Sequence, residues 1–301
     1  MCMAAPVPVS GSKPVVALGN FDGFHRGHQA VLERAMTLAR ATGAQLVVAT
    51  FDPHPVRYFR PEMPGFLLTT IPQRSMLFSA FGADSTVAIP FDEKLAALSP
   101  DAFVEEWLSS RLNARAVVTG ANFKFGCHRS GNTTELRKLC AERGIMADVV
   151  DTFEACGGAA SSTRVRQHLM AGEIERGSAL MGRPYVIQGA MERCRTGARN
   201  VPVVSLAEYL SPMPGTYSAL LSLPNGRTRT TIVEVRGPTG GHEPCICLAD
   251  LPQGLATYGQ TICVELGVLM DPSNRRAGDC DGKSLPDYPP AKIPVETAVH
   301  S

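Results

Sequence analysis

Val15-Val16-Ala17-Leu18-Gly19-Asn20-Phe21-Asp22-Gly23-Phe24-His25-Arg26-Gly27-His28 is the stretch whose reading decides the fold. The apolar run at its start reads as a buried strand. Beyond its end, apolar residues at Ala30, Val31, Leu32, Ala35, Met36, Leu38 and Ala39 read as the inner face of a helix. A glycine-rich turn lies between the two. Strand, turn and helix in that order make a phosphate-binding device. The turn lets backbone approach a phosphate, and the helix N-terminus offers N–H groups and the positive end of its dipole. His25 and His28 stand at the mouth of that helix, and each imidazole can donate a hydrogen bond to a phosphate oxygen.

The spacing matches neither of the common phosphate motifs. A Walker loop requires G-x-x-x-x-G-K-[ST], and no Lys-Ser or Lys-Thr follows this turn. A dinucleotide fingerprint requires G-x-G-x-x-G, whereas Gly19, Gly23 and Gly27 are evenly spaced. A bland reading makes one histidine a helix cap and the other a surface residue, and the surrounding Gly-Asn-Phe-Asp-Gly-Phe argues against it. H-x-G-H after a first strand resembles the nucleotidyltransferase superfamily, whose members transfer an adenylyl or cytidylyl group from a nucleoside triphosphate.

Composition bounds the rest. A chain of 301 residues, 44% hydrophobic, is expected to form two domains with full cores. Its net charge of +1, without acidic or basic blocks, leaves no electrostatic footprint for nucleic acid or an anionic membrane. Neither a secretory signal nor an apolar run long enough to span a bilayer is seen, so a cytoplasmic protein is expected. The nine cysteines are scattered and odd in number, and are read as mostly reduced, buried thiols. Cys245-Ile246-Cys247 is the one close pair, and it lacks two further ligands at zinc-finger spacing.

Strands are predicted at Val15–Leu18, Gln45–Thr50, Ser85–Ile89, Ala116–Thr119 and Met146–Val150. Helices are predicted at His28–Ala41, Ile71–Phe81, Pro100–Arg111 and Thr134–Arg143. Gly43, Gly82 and Gly144 follow three of these helices, where a left-handed residue ends a helix most easily. Such alternation implies an α/β fold with a parallel sheet and helices on both faces, and ligands bind beyond the carboxyl ends of its strands. Polar motifs do fall there. The second strand runs into Thr50-Phe51-Asp52-Pro53-His54-Pro55, a stiff loop that aims an imidazole. The fourth runs into Gly120-Ala121-Asn122-Phe123-Lys124-Phe125-Gly126 and then Arg129-Ser130-Gly131, where the phenylalanines either join the core or flank a flat ligand. After the fifth comes Ser161-Ser162-Thr163-Arg164-Val165-Arg166. Serine at a helix start is ordinary capping, but arginines in a first turn oppose the dipole, a conflict that an anionic ligand resolves.

These four blocks, in this order, resemble the N-terminal module of the bacterial bifunctional riboflavin kinase/FAD synthetase family over Val15 to Tyr185. Met181-Gly182-Arg183-Pro184-Tyr185 is similar to the junction between that family's modules, and Cys127-His128 departs from its usual pattern before Arg-Ser-Gly. The resemblance implies a Rossmann-like nucleotidyltransferase domain over residues 14–183, which adenylylates FMN to FAD with ATP and magnesium, followed by a small β-barrel-like domain over 184–269. His25 and His28 are then assigned to the ATP phosphates as charge develops. Ser162, Thr163 and Arg166 hold the β- and γ-phosphates, and Asn122 contacts the flavin phosphate or the metal-linked phosphates. Gly19, Asn20, Phe21, Asp22, Gly23, His54, Phe123 and Arg129 are the expected nucleotide- and flavin-binding residues. No protein cage for the magnesium ion is visible.

The second half departs from that family. Tyr185-Val186-Ile187-Gln188-Gly189, Pro214-Gly215-Thr216-Tyr217 and Tyr258-Gly259-Gln260 resemble parts of its riboflavin kinase module. The family's Gly-rich stretch ending in Pro-Thr-Ala-Asn is replaced here by Met191 to Pro202. Its catalytic glutamate, aligned on Asp250, falls near Cys245. A neutral thiol is no general base for a hydroxyl, so a retained structural lobe without kinase activity is expected. Residues from about 270 to 301 read as a mobile tail. A transferase with a modified flavin or another phosphorylated acceptor, and a non-catalytic flavin- or nucleotide-binding protein, remain the alternatives.

Overall fold

The computed structural model describes residues 13–155, 157–196, 199–238, 243–249, 251 and 257–270. The expected tail past Met270 therefore lies outside the described residues, as do Cys2, Cys156, Asp250 and Cys280. The chain divides into two compact units. One comprises the described residues up to Met63 together with Ile71–Ala160, and the other comprises Pro64–Thr70 with the described residues from Ser161 onward.

The first unit is built on a parallel sheet of β1 (Val15–Leu18), β2 (Leu46–Asp52), β3 (Ser85–Pro90), β4 (Ala116–Gly120) and β5 (Met146–Val150), in the order β3-β2-β1-β4-β5. Around it stand α1 (Arg26–Thr42), α2 (Pro55–Phe59), α3 (Ile71–Phe81), α4 (Glu93–Ala97), α5 (Pro100–Phe103) and α6 (Thr133–Ala141). From Val104 to Arg111, α5 continues as a π-helix, so the helix predicted over Pro100–Arg111 changes its winding midway. Alternate side chains of each strand serve opposite layers. Val15, Ala17 and Val48 join Leu32, Ala35 and Phe78 on one side, while Val16, Leu18 and Val47 join Trp107, Leu108 and Leu136 on the other. A strand buried on both faces has to be apolar throughout, which is why Val15–Leu18 carries no polar residue. Gly43 ends α1 in the left-handed region at φ 62°, its N–H donating to Ala39 O and Arg40 O.

The second unit begins with α7 (Ser162–Met170) and α8 (Ile174–Met181). A closed antiparallel barrel follows: β6 (Tyr185–Thr196), β7 (Arg199–Ser205), β8 (Gly215–Ser222), β9 (Thr228–Arg236), β10 (Cys245–Cys247) and β11 (Thr261–Leu269), in the order β10-β7-β6-β11-β8-β9. The α/β fold with a small barrel is thus as expected. Within this unit, Phe66 N–H and Leu67 N–H both donate to Glu208 O, tying Pro64–Thr70 to the barrel. Six cysteines are described and none forms a disulfide. Cys140, Cys247 and Cys263 are buried, and Cys127, Cys194 and Cys245 are partly exposed. Among the described residues no helix is long and apolar enough to cross a membrane.

Candidate active site

The strand order reverses at β1, which lies between β2 and β4, and the carboxyl end of β1 runs into the Gly19–His28 turn. This is where open parallel sheets hold ligands. Phe21, Gly23 and Phe24 all take positive φ (49°, 79° and 41°), so the turn is tightly wound. The two phenylalanines hold it down. Phe21 and Phe24 both sit edge-on against Phe78 of α3, with ring centroids 5.7 and 5.2 Å away. Gly19 is confined by the Phe21 ring, which would lie 3.1 Å from any Cβ placed there.

His25 is the N-cap residue of α1, and its carbonyl accepts from His28 N–H (2.8 Å) and Gln29 N–H (3.0 Å). Its imidazole stacks on that of His28, with centroids 3.6 Å apart and planes inclined by 23°. Phe21 meets the His28 ring edge-on at 5.3 Å. His25 is 5% exposed and His28 half-buried, so His28 is the more accessible of the pair. Gly27 lies against this stack, where a Cβ would come within 3.2 Å of the His25 ring and 3.3 Å of Ala160 O. Asp22 is buried in the same turn.

Below the turn lies a polar framework that no sequence motif announces. Arg74 of α3, only 1% exposed, donates from Nη1 to Asn20 O (2.7 Å) and to Thr50 Oγ1 (3.2 Å). Thr50 Oγ1 donates to the same Asn20 carbonyl at 2.8 Å. Thr119, the penultimate residue of β4, donates to Leu18 O at 2.9 Å. Two strand-end threonines and a buried guanidinium therefore fix the backbone on which the turn begins. The Asn20 side-chain Oδ1 is buried without a hydrogen-bond partner among the described residues, an acceptor that a ligand donor would satisfy.

The remaining predicted residues of this unit stand at neighbouring strand ends. His54 follows the cis Asp52–Pro53 bond after β2, is 8% exposed, and caps α2 by accepting Val56 N–H at Nδ1 (3.2 Å). An accepting Nδ1 places the proton of the neutral ring on Nε2, which becomes the donor. Asn122, after β4, is exposed in a turn closed by Phe123 N–H donating to Gly120 O at 3.0 Å. Of the two phenylalanines there, Phe125 belongs to the core. Phe123 is half-buried and stacks on it at 5.6 Å. Arg129 is exposed in the Cys127–Arg129 turn, where it and His128 both adopt positive φ (57° and 54°).

Ser162, Thr163 and Arg166 lie in the second unit. Ser161 caps α7, its Oγ accepting Arg164 N–H at 3.3 Å. Ser162 is half-buried and Thr163 exposed. Only Arg164 of the two arginines is in the first turn. Arg166 lies one residue past it, is 9% exposed, donates from Nε to Phe66 O (3.1 Å) and stacks over the Phe66 ring at 3.7 Å. The expected conflict with the helix dipole thus does not hold for Arg166, whose guanidinium is engaged by a carbonyl and an aromatic face.

In the barrel, the Met191–Pro202 segment, expected to stand in place of a Gly-rich stretch, lies in a β-ladder. β6 and β7 pair from Met191↔Val204 to Thr196↔Arg199 without a break in register. Cys245 stands on β10 opposite Arg236 and Ser205. Its thiol is lowered from the usual range by the hydrogen bond with Cys247, opposed by burial and aided by the Arg236 charge.

The FAD synthetase family model matches residues 8–164, over half of the chain. The chain belongs to the FAD synthetase family. It is a nucleotidyltransferase of that family, and most of the matched region lies in the parallel-sheet unit. It is 30% identical over 265 residues to a bifunctional riboflavin kinase/FMN adenylyltransferase of Escherichia coli K12, covering 84% of this chain and 82% of the relative. It is 29% identical over 218 residues to an FAD synthetase of Listeria monocytogenes, covering 71% and 85% respectively. A crystal structure described as a macrolide-efflux protein from Streptococcus pneumoniae superposes with a TM-score of 0.73 over 87% of this chain and 86% of that one. At 22% identity that likeness shows the fold alone.

Proposed function

We propose that this chain transfers the adenylyl group of ATP to FMN, giving FAD and pyrophosphate, and that it does not phosphorylate riboflavin. The observation that carries the reading is the stacked His25–His28 pair at the N-terminus of α1, on a turn whose backbone is pinned by Arg74 and Thr50. An FMN phosphate oxygen attacks the α-phosphorus of ATP; a new P–O bond forms as the bond to the β-phosphate oxygen breaks, and pyrophosphate leaves with the electron pair. A phosphate monoester is already nucleophilic at neutral pH, so the protein contributes positioning and charge stabilisation rather than a base. His28 and His25 donate to phosphate oxygens as charge develops, and the Nε2–H of His54 adds a donor from β2. Asn122 contacts the flavin phosphate, while Gly19, Asn20, Phe21, Asp22 and Gly23 bring the turn against the nucleotide. Ser162, Thr163 and Arg166 bind the departing pyrophosphate, and Phe123 and Arg129 flank the flavin.

Magnesium on this reading is held mainly by phosphate oxygens, as is usual for that ion. Among the described residues no group of three or more His, Cys, Asp or Glu side chains is placed to hold a metal. The domain assignment that goes with this reading is an adenylyltransferase over residues 14–183 and a structural lobe over 184–269. The lack of kinase activity rests on the β6–β7 ladder more than on the thiol at Cys245, because that thiol is itself shifted toward its charged form.

The test is incubation of the purified chain with ATP, magnesium and FMN, followed by separation of the flavins. FAD with matching pyrophosphate supports the reading. Retention of FMN or ATP without turnover makes the chain a binding protein. ATP consumption only with another phosphorylated acceptor gives the reaction a different substrate.

A further inference from the structure

The barrel carries a pair of thiols that adenylyl transfer does not use. Cys245 and Cys247 are separated by one residue on β10, so their side chains project from the same face of the strand. Their Sγ atoms are 3.9 Å apart, within sulfur hydrogen-bond distance. The intervening Ile246 is fully buried and registers with Val204 and Val235, both buried, on the inner face of the barrel. Cys245 and Cys247 share the opposite face with Glu234 and Arg236 of β9, which form an ion pair at 2.7 Å. Cys245 is partly exposed, and Cys247 is buried next to it.

The geometry points to a reversible modification site: Cys245 is a nucleophile for small hydroperoxides, and Cys247 is its resolving thiol, the two closing an intrastrand disulfide. Cys245 is the attacking partner for two reasons. It is the one that a small oxidant reaches, and hydrogen bonding from Cys247 together with the Arg236 charge favours its thiolate. Cys247, by contrast, is held in its protonated form by the hydrogen bond to Cys245 and by burial. A low-range, accessible thiolate next to a second thiol is the arrangement that oxidises selectively and reversibly.

The steps balance. The Cys245 sulfur attacks one oxygen of hydrogen peroxide, an S–O bond forms, the O–O bond breaks, and the departing hydroxide leaves as water after taking a proton. The Cys247 sulfur then attacks the Cys245 sulfenic sulfur, S–S forms, S–O breaks, and the second oxygen leaves as water with the Cys247 proton. Two electrons pass from the thiols to the peroxide. An extended strand separates Cα atoms two residues apart by roughly 6.6–6.8 Å, which is the upper end of what a disulfide spans, so β10 must contract to close the bridge. A bridge under such strain is readily reduced. Since β10 is the strand that joins β7 to β9, the modification acts at the closure of the barrel.

The experiment treats the fully reduced chain with one equivalent of hydrogen peroxide at neutral pH, alkylates the remaining thiols, and maps the peptides by mass. The expected result is loss of the mass of two hydrogens in the peptide that carries both cysteines, before Cys127 or Cys194 reacts, and its reversal by dithiothreitol. In Cys247→Ser, dimedone should trap a sulfenic acid on Cys245. In Cys245→Ser, Cys247 should give no adduct. The proposal is overturned by a bridge from either residue to any other cysteine, by Cys127 or Cys194 oxidising first, or by Cys245 passing to sulfinic acid in the unaltered chain. The mapping of the unaltered chain decides the matter even if a variant fails to fold.

Discussion

The Gly19–His28 turn and the β6–β7 hairpin, the two segments that the proposed function contrasts, satisfy their backbones in opposite ways. In the first, backbone is left irregular and is held by side chains: Asn20 O takes bonds from Arg74 and Thr50, and the phenylalanines anchor on Phe78. In the second, the backbone satisfies itself, with each residue from Met191 to Thr196 paired to β7. A loop that binds phosphate needs N–H groups not already used in a ladder. The difference teaches that an irregular turn keeps its backbone N–H groups out of a ladder only where side chains hold it from beneath.

The largest expected effect is all-or-none. Riboflavin with ATP should yield no FMN at any magnesium concentration, and Cys245→Glu should not change this, because the ladder still occupies the place of the loop. FMN formation by either protein, followed chromatographically, breaks the comparison. Next comes His28→Ala. Removing one preorganised donor from a developing charge costs about 2.7–4 kcal/mol, so kcat should fall roughly 100- to 1,000-fold. The melting temperature should stay close to that of the parent, since His28 is only half-buried. Near-normal turnover would make His28 structural.

Arg74→Met sharpens the contrast by removing the support and leaving the loop sequence intact. Loss of a charged donor to Asn20 O should cost about 1.5–3 kcal/mol of stability in denaturant titration. It should also raise KM for ATP, and Arg74→Lys should restore part of that KM. A stability loss with KM unchanged would show that the framework serves the core alone. The smallest expected effect is at Arg166→Ala. Losing the contact with the Phe66 ring and carbonyl should lower ligand-free stability by about 1–2 kcal/mol. Melts with and without magnesium-ATP then report whether the ATP-induced shift shrinks as well; a full shift would remove Arg166 from the phosphate role.

The centre of the parallel sheet was legible because burial on both faces demands unbroken apolar runs, as at Val15–Leu18, whereas the edge strand Met146–Val150, with Asp148 in its middle and no buried residue, was legible from the alternation of strands and helices. The glycine-rich turn was legible because its irregular backbone needs particular residues. The framework below it was not. Arg74 sits in an otherwise ordinary helical segment, and Thr50 and Thr119 look like strand ends, so their meeting at one turn exists only in three dimensions. Arg166 misled for a related reason. Its partner Phe66 lies 100 residues earlier, and no local pattern reveals it. The π-helical winding of Val104–Arg111 leaves apolar spacing close to that of an α-helix, so the sequence reads as one helix throughout.

The second unit reclaims Pro64–Thr70 from the middle of the first, and this restricts how the gene can be rearranged. A fragment beginning at Ser161 would leave Glu208 O without the Phe66 and Leu67 amides and Arg166 without the Phe66 ring. A fragment ending at Ala160 would carry those residues as an unsupported excursion. The two halves are thus not exchangeable cassettes. Recombination at the obvious junction should yield poorly folded chimeras unless residues 64–70 come from the same parent as the barrel.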